Sequence, residues 1–389
     1  MSRYAKRLPL LFVTLFFITL NMRPPVSTVG PLLGEIQQSL GLQPFQTALL
    51  AAVPVLCFGF GAFLTPVLVA RLGIIDTFTG ILLVMTASLV ARPWFGYWIL
   101  LVLSVLAGIG IALANVAITT LVRQEFPTQV AKITAFYTAL LGTFASIGAS
   151  FSVPLRDLFG SWQGSLSSWG VLALISLLLW LLVNRGLGHD HSRGSQNHIF
   201  NPKVWASGAT WGIVGYFGLQ SVNFYALLNW LPTILETKGF DQAGAGALLG
   251  FTTVVGVPTG LLITANLRRI RSVPTLMLGI GVVTVAGLLL LLLPSEWAWL
   301  AAALVGCGLG ASFPLSIALI GLKGKSSETT TALSAISQGF GYLVAAAGTY
   351  AVGVIGASAL GWASSIWTLI AVAVIGVAFG FLVNRSQAV

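Results

Sequence analysis

Charge is what this sequence has least of. Nineteen Lys and Arg and nine Asp and Glu occur in 389 residues, 7% in all, against roughly a quarter in ordinary globular chains. Such a deficit excludes a soluble enzyme and a disordered, solvated chain. Cysteine is nearly absent too. Cys57 and Cys307 both lie in apolar runs, which excludes a disulfide framework and a Cys-rich metal centre. What fills the chain instead is 57% hydrophobic residues, 44 glycines and 12 tryptophans, with a mean hydropathy of +0.95.

A bilayer core about 30 Å thick is crossed by about 20 apolar helical residues. Twelve such runs stand between charges and Pro/Gly clusters, at residues 8–29, 47–70, 77–91, 97–122, 132–153, 165–184, 205–231, 243–265, 273–293, 297–320, 329–352 and 363–384. No ten-residue alternating pattern occurs, so a β-barrel is excluded and an all-α integral membrane protein is expected. The basic residues test the count. With an even number of spans both termini share one side, and that side collects fifteen basic residues against three, Arg92, Arg156 and Lys238, on the other. This is the positive-inside asymmetry: it places both termini in the cytoplasm and reads the net charge of +10 as topology rather than a nucleic-acid patch. The basic, apolar N-terminus imitates a signal peptide but shows no small-x-small cleavage site, so it reads as an uncleaved first span.

The longest hydrophilic stretch, 185–203, follows span six and divides the chain into an N-terminal bundle (1–184), a linker, and a C-terminal bundle (204–389). Its three histidines, His189, His191 and His198, read as solvated, and no metal or cofactor is expected. A shift of about 200 residues superposes the halves. Asn21…Pro31-x-x-x-Glu35 answers Asn223…Pro232-x-x-x-Glu236. Gly108-Ile-Gly110 answers Gly306-Cys-Gly308, and Thr134, Ala145 and Gly148 answer Ser334, Ala345 and Gly348. Two pseudo-symmetric six-helix bundles that rock about an axis along the membrane normal would expose a midplane site to each side in turn.

Of the nineteen basic residues only Arg23 falls in the interior of a span (Lys132 stands at the inner end of one), and none of the nine acids does. An intramembrane charge is costly and marks a site by default. Arg23 lies about 22 Å along the first helix, slightly beyond the midplane. Pro24 and Pro25 follow at once and should kink or break the helix where the guanidinium sits. Its planar fork suits a carboxylate, a nitro group or a small linear anion; snorkelling to the headgroups is the bland alternative. Polar residues that could meet it form stripes in the spans a rocking bundle would turn inward: Asn21 in span one, Asn115 and Thr119 in span four, Thr134, Tyr137 and Thr138 in span five, Gln220, Asn223, Leu227 and Trp230 in span seven, Ser312 in span ten, and Ser334, Gln338 and Tyr342 in span eleven. Singly, each could as well join helices by hydrogen bonding. With no His, Asp or Glu inside a span, a membrane-embedded enzyme is not expected, and with no loop beyond about twenty residues neither is a receptor with a soluble module.

These features resemble the major facilitator superfamily. More narrowly, Leu20-Asn-Met-Arg-Pro-Pro-Val-Ser-Thr-Val-Gly-Pro-Leu-Leu33 is similar to the N-terminal signature of its cyanate permease and 2-nitroimidazole transporter branch. Asn115-Val, Arg123-Gln-Glu-Phe-Pro127, Asn229-Trp-Leu-Pro232, Gly306-Cys-Gly-Leu-Gly-Ala-Ser-Phe-Pro314 and Gln338-Gly-Phe-Gly-Tyr342 are further similar stretches. The superfamily's Gly-x-x-x-Asp-Arg-x-Gly loop motif is reduced here to Arg71-Leu-Gly-Ile-Ile-Asp76. The resemblance implies a monomeric, multi-pass secondary transporter of the bacterial cytoplasmic (inner) membrane, acting by alternating access on a small anionic or nitro-bearing solute, with Arg23 as substrate contact. Multidrug or metabolite efflux on the same fold is the rival reading.

Overall fold

The computed structural model describes residues 7–126, 129–185, 202–266 and 272–388, apart from the side chains of some helical residues. The histidines of the 185–203 linker, and the side chains of Thr119, Thr134 and Thr138, lie outside what is described. Among the described residues the chain is all helix, in fifteen α-helical segments. The first passage is built from α1 (Leu8–Leu20), α2 (Pro24–Ser27) and α3 (Val29–Leu40). It is followed by α4 (Pro44–Leu72), α5 (Ile74–Ala91), α6 (Tyr97–Glu125), α7 (Val130–Phe159) and α8 (Trp162–Asn184). After the linker come the short α9 (Pro202–Trp205), then α10 (Gly208–Glu236), α11 (Gln242–Asn266), α12 (Val273–Leu290), α13 (Ala298–Lys323), α14 (Ser327–Ala357) and α15 (Gly361–Arg385). These make twelve passages.

Ten of the passages are long and apolar enough to cross a membrane by composition. The other two, α7 and α10, have 30 and 29 residues and are long enough, but more polar. Large apolar side chains face outward all round, among them Trp98 (69% exposed) and Leu158 (75%), an arrangement that only lipid tolerates. Trp94, Trp98, Trp297 and Trp299 ring the end opposite the termini, as an interfacial aromatic belt does.

Hydropathy marks the part of each helix inside lipid, while caps and hydrogen bonds set its true length, so most helices outrun their apolar runs. The difference matters most in the first passage. Pro31, Glu35, Gln37 and Gln38 end the apolar run, yet α3 continues to Leu40 and stops at Gly41, whose φ of 61° is the left-handed conformation that favours glycine. Arg23 is therefore at the centre of this passage rather than beyond it. Span seven likewise begins at Gly208 and not at residue 205, because the Ser207 hydroxyl accepts from Ala209 N–H and starts the helix there.

Glycines at equivalent positions of the two halves meet equivalent helices. On α6, Gly108 abuts Cys57 and Pro54 of α4, and Gly110 abuts Met85 of α5. On α13, Gly306 abuts Thr252 of α11, and Gly308 abuts Thr284 of α12. Ser165 Oγ donates to the Ser152 carbonyl at 2.7 Å, and Ser365 Oγ to the Val352 carbonyl at 2.7 Å. Small residues let helices approach backbone to backbone, where dispersion and not hydrophobicity holds a membrane protein together. Gly310 is the tightest such place, since a Cβ there would overlap the Gly256 backbone. Gly310→Val is expected to lower the apparent Tm of the purified protein sharply, overpacking of this kind costing about 1–3 kcal/mol. Gly321→Ala, where nothing lies within 4 Å, should not lower the melt, since an alanine in open helical space is neutral to mildly stabilising.

The two halves pack along α4 and α14, where Gly339 abuts Phe63, and along α7 and α11, where Gly142 abuts Val257, and they also meet at the end opposite the termini. Gly30 of α3 lies against the α10 backbone at Leu228 and Asn229. Gln242 Nε2 donates to the Pro31 carbonyl at 2.8 Å, and Ser146 Oγ of α7 donates to the Gly250 carbonyl of α11 at 2.7 Å.

Candidate functional site

Proline makes the site. Pro24 and Pro25 have no N–H to give to the Leu20 and Asn21 carbonyls, so α1 stops, two tight bonds close the gap (Asn21 N to Ile18 O and Met22 N to Thr19 O, both 3.1 Å), and Arg23 caps the short α2. The guanidinium leaves the break toward the other half of the molecule. Arg23 Nη1 donates to the Tyr225 hydroxyl of α10 at 2.8 Å, and its carbon lies 5.9 Å from the Phe224 and Tyr225 ring centroids. Tyr342 of α14 stands 6.1 Å from Tyr225 and 5.5 Å from Phe58 of α4. From α7, Tyr137 donates to Asn115 Oδ1 on α6 at 2.6 Å and also lies 3.4 Å from Met22 Sδ.

A guanidinium has five N–H donors, and one is spent on Tyr225. Among the described residues no carboxylate pairs with Arg23, yet the side chain is not sealed off: it keeps part of its surface open, as do Asn115, Tyr137, Phe224 and Tyr342 around it. The site is thus a cationic centre in an aromatic, mid-depth cavity, with N–H groups left to offer.

Position explains why these two residues meet. Arg23 and Tyr225 are separated by 202 residues, the same offset that relates Asn21 to Asn223. A residue and its mate across a two-fold axis touch only beside the axis, so the contact marks the centre of the interlobe path. Phe58, Phe224 and Tyr225 were absent from the sequence expectation, which followed the 220/223/227/230 face of span seven. The offset was the signal that could have found Tyr225.

The structure divides the expected residues into groups. Arg23, Asn115, Tyr137 and Tyr342 come together at the axis. Gln220, Asn223 and Ser312 instead line a separate cavity of about 30 Å³ within the C-terminal half, between α10, α12, α13 and α15. Gln338 Nε2 donates to Ser334 Oγ at 2.7 Å on its own helix. Asn21 is 1% exposed and joins α1 to α8 through Ser176 Oγ at 2.7 Å, and Trp230 donates to the Thr349 carbonyl at 3.0 Å against Trp362. Both of these join helices. A groove of about 610 Å³ between α11, α12 and α13 carries no charged lining residue.

A second buried guanidinium was not anticipated. Arg92 follows α5, where a loop residue facing water was expected, but it is 2% exposed and donates to the Pro25 carbonyl at 3.0 Å. It thereby satisfies backbone at the break that presents Arg23. Burial lowers its pKa to about 10, which still leaves a cation at neutral pH.

The Major Facilitator Superfamily profile matches residues 11–349. The chain belongs to the Major Facilitator Superfamily. It is 31% identical over 381 residues to the uncharacterized transporter YycB of Bacillus subtilis (strain 168), covering 97% of this chain and 94% of that one. It is 28% identical to the 2-nitroimidazole transporter of Escherichia coli (strain K12), covering 97% and 96%, and 26% identical to the cyanate transport protein CynX of the same organism, covering 89% of each. The resemblance read from residues 20–33 is therefore shown. Among solved structures, a D-xylose-proton symporter superposes with a TM-score of 0.76 at 14% identity over 97% of both chains. An inward-facing bacterial homolog of the human lysosomal transporter Spinster gives 0.75 at 14% identity over 99% of this chain and 98% of that one. At such identity the likeness is one of fold. As a Major Facilitator protein this is a multi-pass membrane transporter of small solutes and not an enzyme.

Proposed function

We propose that the protein moves a small anionic or nitro-bearing solute, cyanate-like or nitroimidazole-like, across the bacterial cytoplasmic membrane by alternating access, as a monomer with both termini in the cytoplasm. The observation that carries this reading is Arg23: a guanidinium beside the axis between the halves, held by one hydroxyl and matched by no carboxylate among the described residues. Bidentate oxygen groups fit its remaining donors, and the aromatic walls accept a flat, polarisable body. The relatives named for 2-nitroimidazole and cyanate support the solute class, and the fifteen-to-three distribution of basic residues supports the orientation.

Energetics limit the coupling. Moving one negative charge inward against an inside-negative potential costs about 2.3 kcal/mol per 100 mV. An anion therefore enters by exchange or with a compensating cation, whereas a neutral nitro compound needs neither. Uptake of cyanate, small carboxylates and a nitroimidazole into proteoliposomes, with and without pH and voltage gradients, tests the reading. Transport of at least one of them that saturates is expected. Transport of dye-like cations and none of these would favour the efflux reading on the same fold.

Tyr225→Phe keeps the ring and removes the hydroxyl that orients Arg23. One hydrogen bond to a charged group is worth about 1.5–3 kcal/mol, and water in an open cavity replaces part of it. The half-saturating solute concentration should rise roughly tenfold with the thermal melt unchanged. An unaltered concentration dependence would show that Tyr225 has no part in positioning the guanidinium.

A further inference from the structure

The small cavity in the C-terminal half has an unusual polar balance. Gln220 and Asn223 are 8% and 2% exposed, and Gln220 Oε1 and Asn223 Oδ1 are both buried with no donor. Their orientation is fixed from the nitrogen side. Gln220 Nε2 donates to the Phe217 carbonyl at 3.1 Å and to Ser221 Oγ at 2.7 Å, and Asn223 Nδ2 donates to the Leu219 carbonyl at 3.3 Å. The hydroxyls on the facing helices have also given up their protons: Ser312 Oγ donates to the Gly308 carbonyl at 2.8 Å, and Thr284 Oγ1 to the Ile280 carbonyl at 2.9 Å. Tyr216 lies beside Ser312 in the same lining and brings a phenol O–H to it. Apart from the Tyr216 phenol, what the cavity sees is oxygen lone pairs from α10, α12 and α13, and the two amide oxygens are buried acceptors without donors, which is costly.

We propose that this cavity binds a monovalent cation of about the size of sodium, held by the side-chain oxygens of Gln220, Asn223, Ser312 and Thr284. A lining of acceptors repels an anion, and about 30 Å³ holds one or two water-sized occupants, too little for a nitroimidazole. A water could give its two protons to Gln220 Oε1 and Asn223 Oδ1 but would leave the lone pairs of Ser312 and Thr284 unused. A hard cation draws on all four oxygens at once, and the response to sodium tells the two occupants apart. A divalent ion is disfavoured, because such ions are bound through carboxylates and no lining residue has one.

The placement couples this cavity to the interlobe centre. Asn223 and Tyr225 are two positions apart on α10, about 200° around the helix, so one helix presents the cation oxygens on one face and the Arg23-holding hydroxyl on another. A cation carried here would offset the charge of an anion at Arg23. That last step rests on the solute proposed above; the cation site itself does not.

Thermal unfolding of the full-length purified protein, without solute, in sodium chloride against choline chloride at equal ionic strength tests the site. Sodium is expected to raise the apparent Tm by a few degrees, in a saturable manner. Asn223→Leu and Gln220→Leu should lose the sodium response yet melt no lower than wild type in choline chloride, since each removes an unpaired acceptor; a merely structural role would lower the melt in both salts. Asn223→Asp, which keeps the shape and adds charge, should lower the half-saturating sodium concentration roughly tenfold. Equal melting in the two salts, or a sodium response that survives Asn223→Leu, overturns the proposal and leaves the Arg23 reading standing.

Discussion

Arg23→Ala is expected to abolish solute movement in proteoliposomes while the protein folds and melts at or above the wild-type temperature. The two halves of that result have one cause. A guanidinium at mid-depth with a single hydroxyl partner adds little to stability, because its desolvation is not repaid by an opposite charge; removing it removes an expense. For an oxyanion or nitro group in the same cavity it is the main attraction, since each charge-assisted hydrogen bond is worth about 1.5–3 kcal/mol. Two of them correspond to a loss of roughly a hundredfold or more. Arg23→Lys should retain little activity, because an ammonium keeps the charge but not the planar fork that meets two oxygens together. Initial rates of cyanate or nitroimidazole uptake, normalised to reconstituted protein, read the effect. Rates that match wild type in both variants would leave the guanidinium as a packing feature of the broken helix.

What the sequence disclosed about this site followed from rules that act locally. A lone charge in an apolar run and a proline pair directly after it are visible without neighbours, so Arg23 and the helix break were both legible, as were the all-helical fold and the number of passages. Tyr225 was not, since an aromatic residue within an apolar helix gives no periodic polar signal. The polar stripe on span seven did give one, but a stripe says only that a face is polar. Which neighbour that face meets is decided by the rotation of α10 in the bundle, and Gln220 and Asn223 turned toward α12, α13 and α15 instead of the interlobe path. Arg92 was missed for a related reason: it stands after the end of its helix, and only tertiary contact turns it inward to the Pro25 carbonyl.

The second large effect is expected at Gly30, seven residues past Arg23 on the same broken passage. A Cβ at this position would lie 2.5 Å from the Leu228 carbonyl oxygen and 3.2 Å from the Asn229 Cα. Both are backbone atoms of α10, so no side-chain rotation relieves the overlap. Because α3 and α10 belong to opposite halves, the strain falls on one arrangement of the halves and not on the fold of either. Gly30→Val should therefore leave each bundle intact and depopulate the arrangement in which their ends meet. Overpacking of about 1–3 kcal/mol applied to one of two states changes their ratio by roughly 5- to 150-fold. Spin labels at Leu158→Cys and Leu360→Cys, both exposed at that end, in a Cys57→Ser and Cys307→Ser background, read the change as a longer interlobe distance. Uptake should fall by about tenfold or more, since a carrier that cannot close one end cannot complete its cycle. An unchanged distance distribution with normal uptake would mean that the halves separate and rejoin elsewhere, and that the Gly30 contact is not part of the gate.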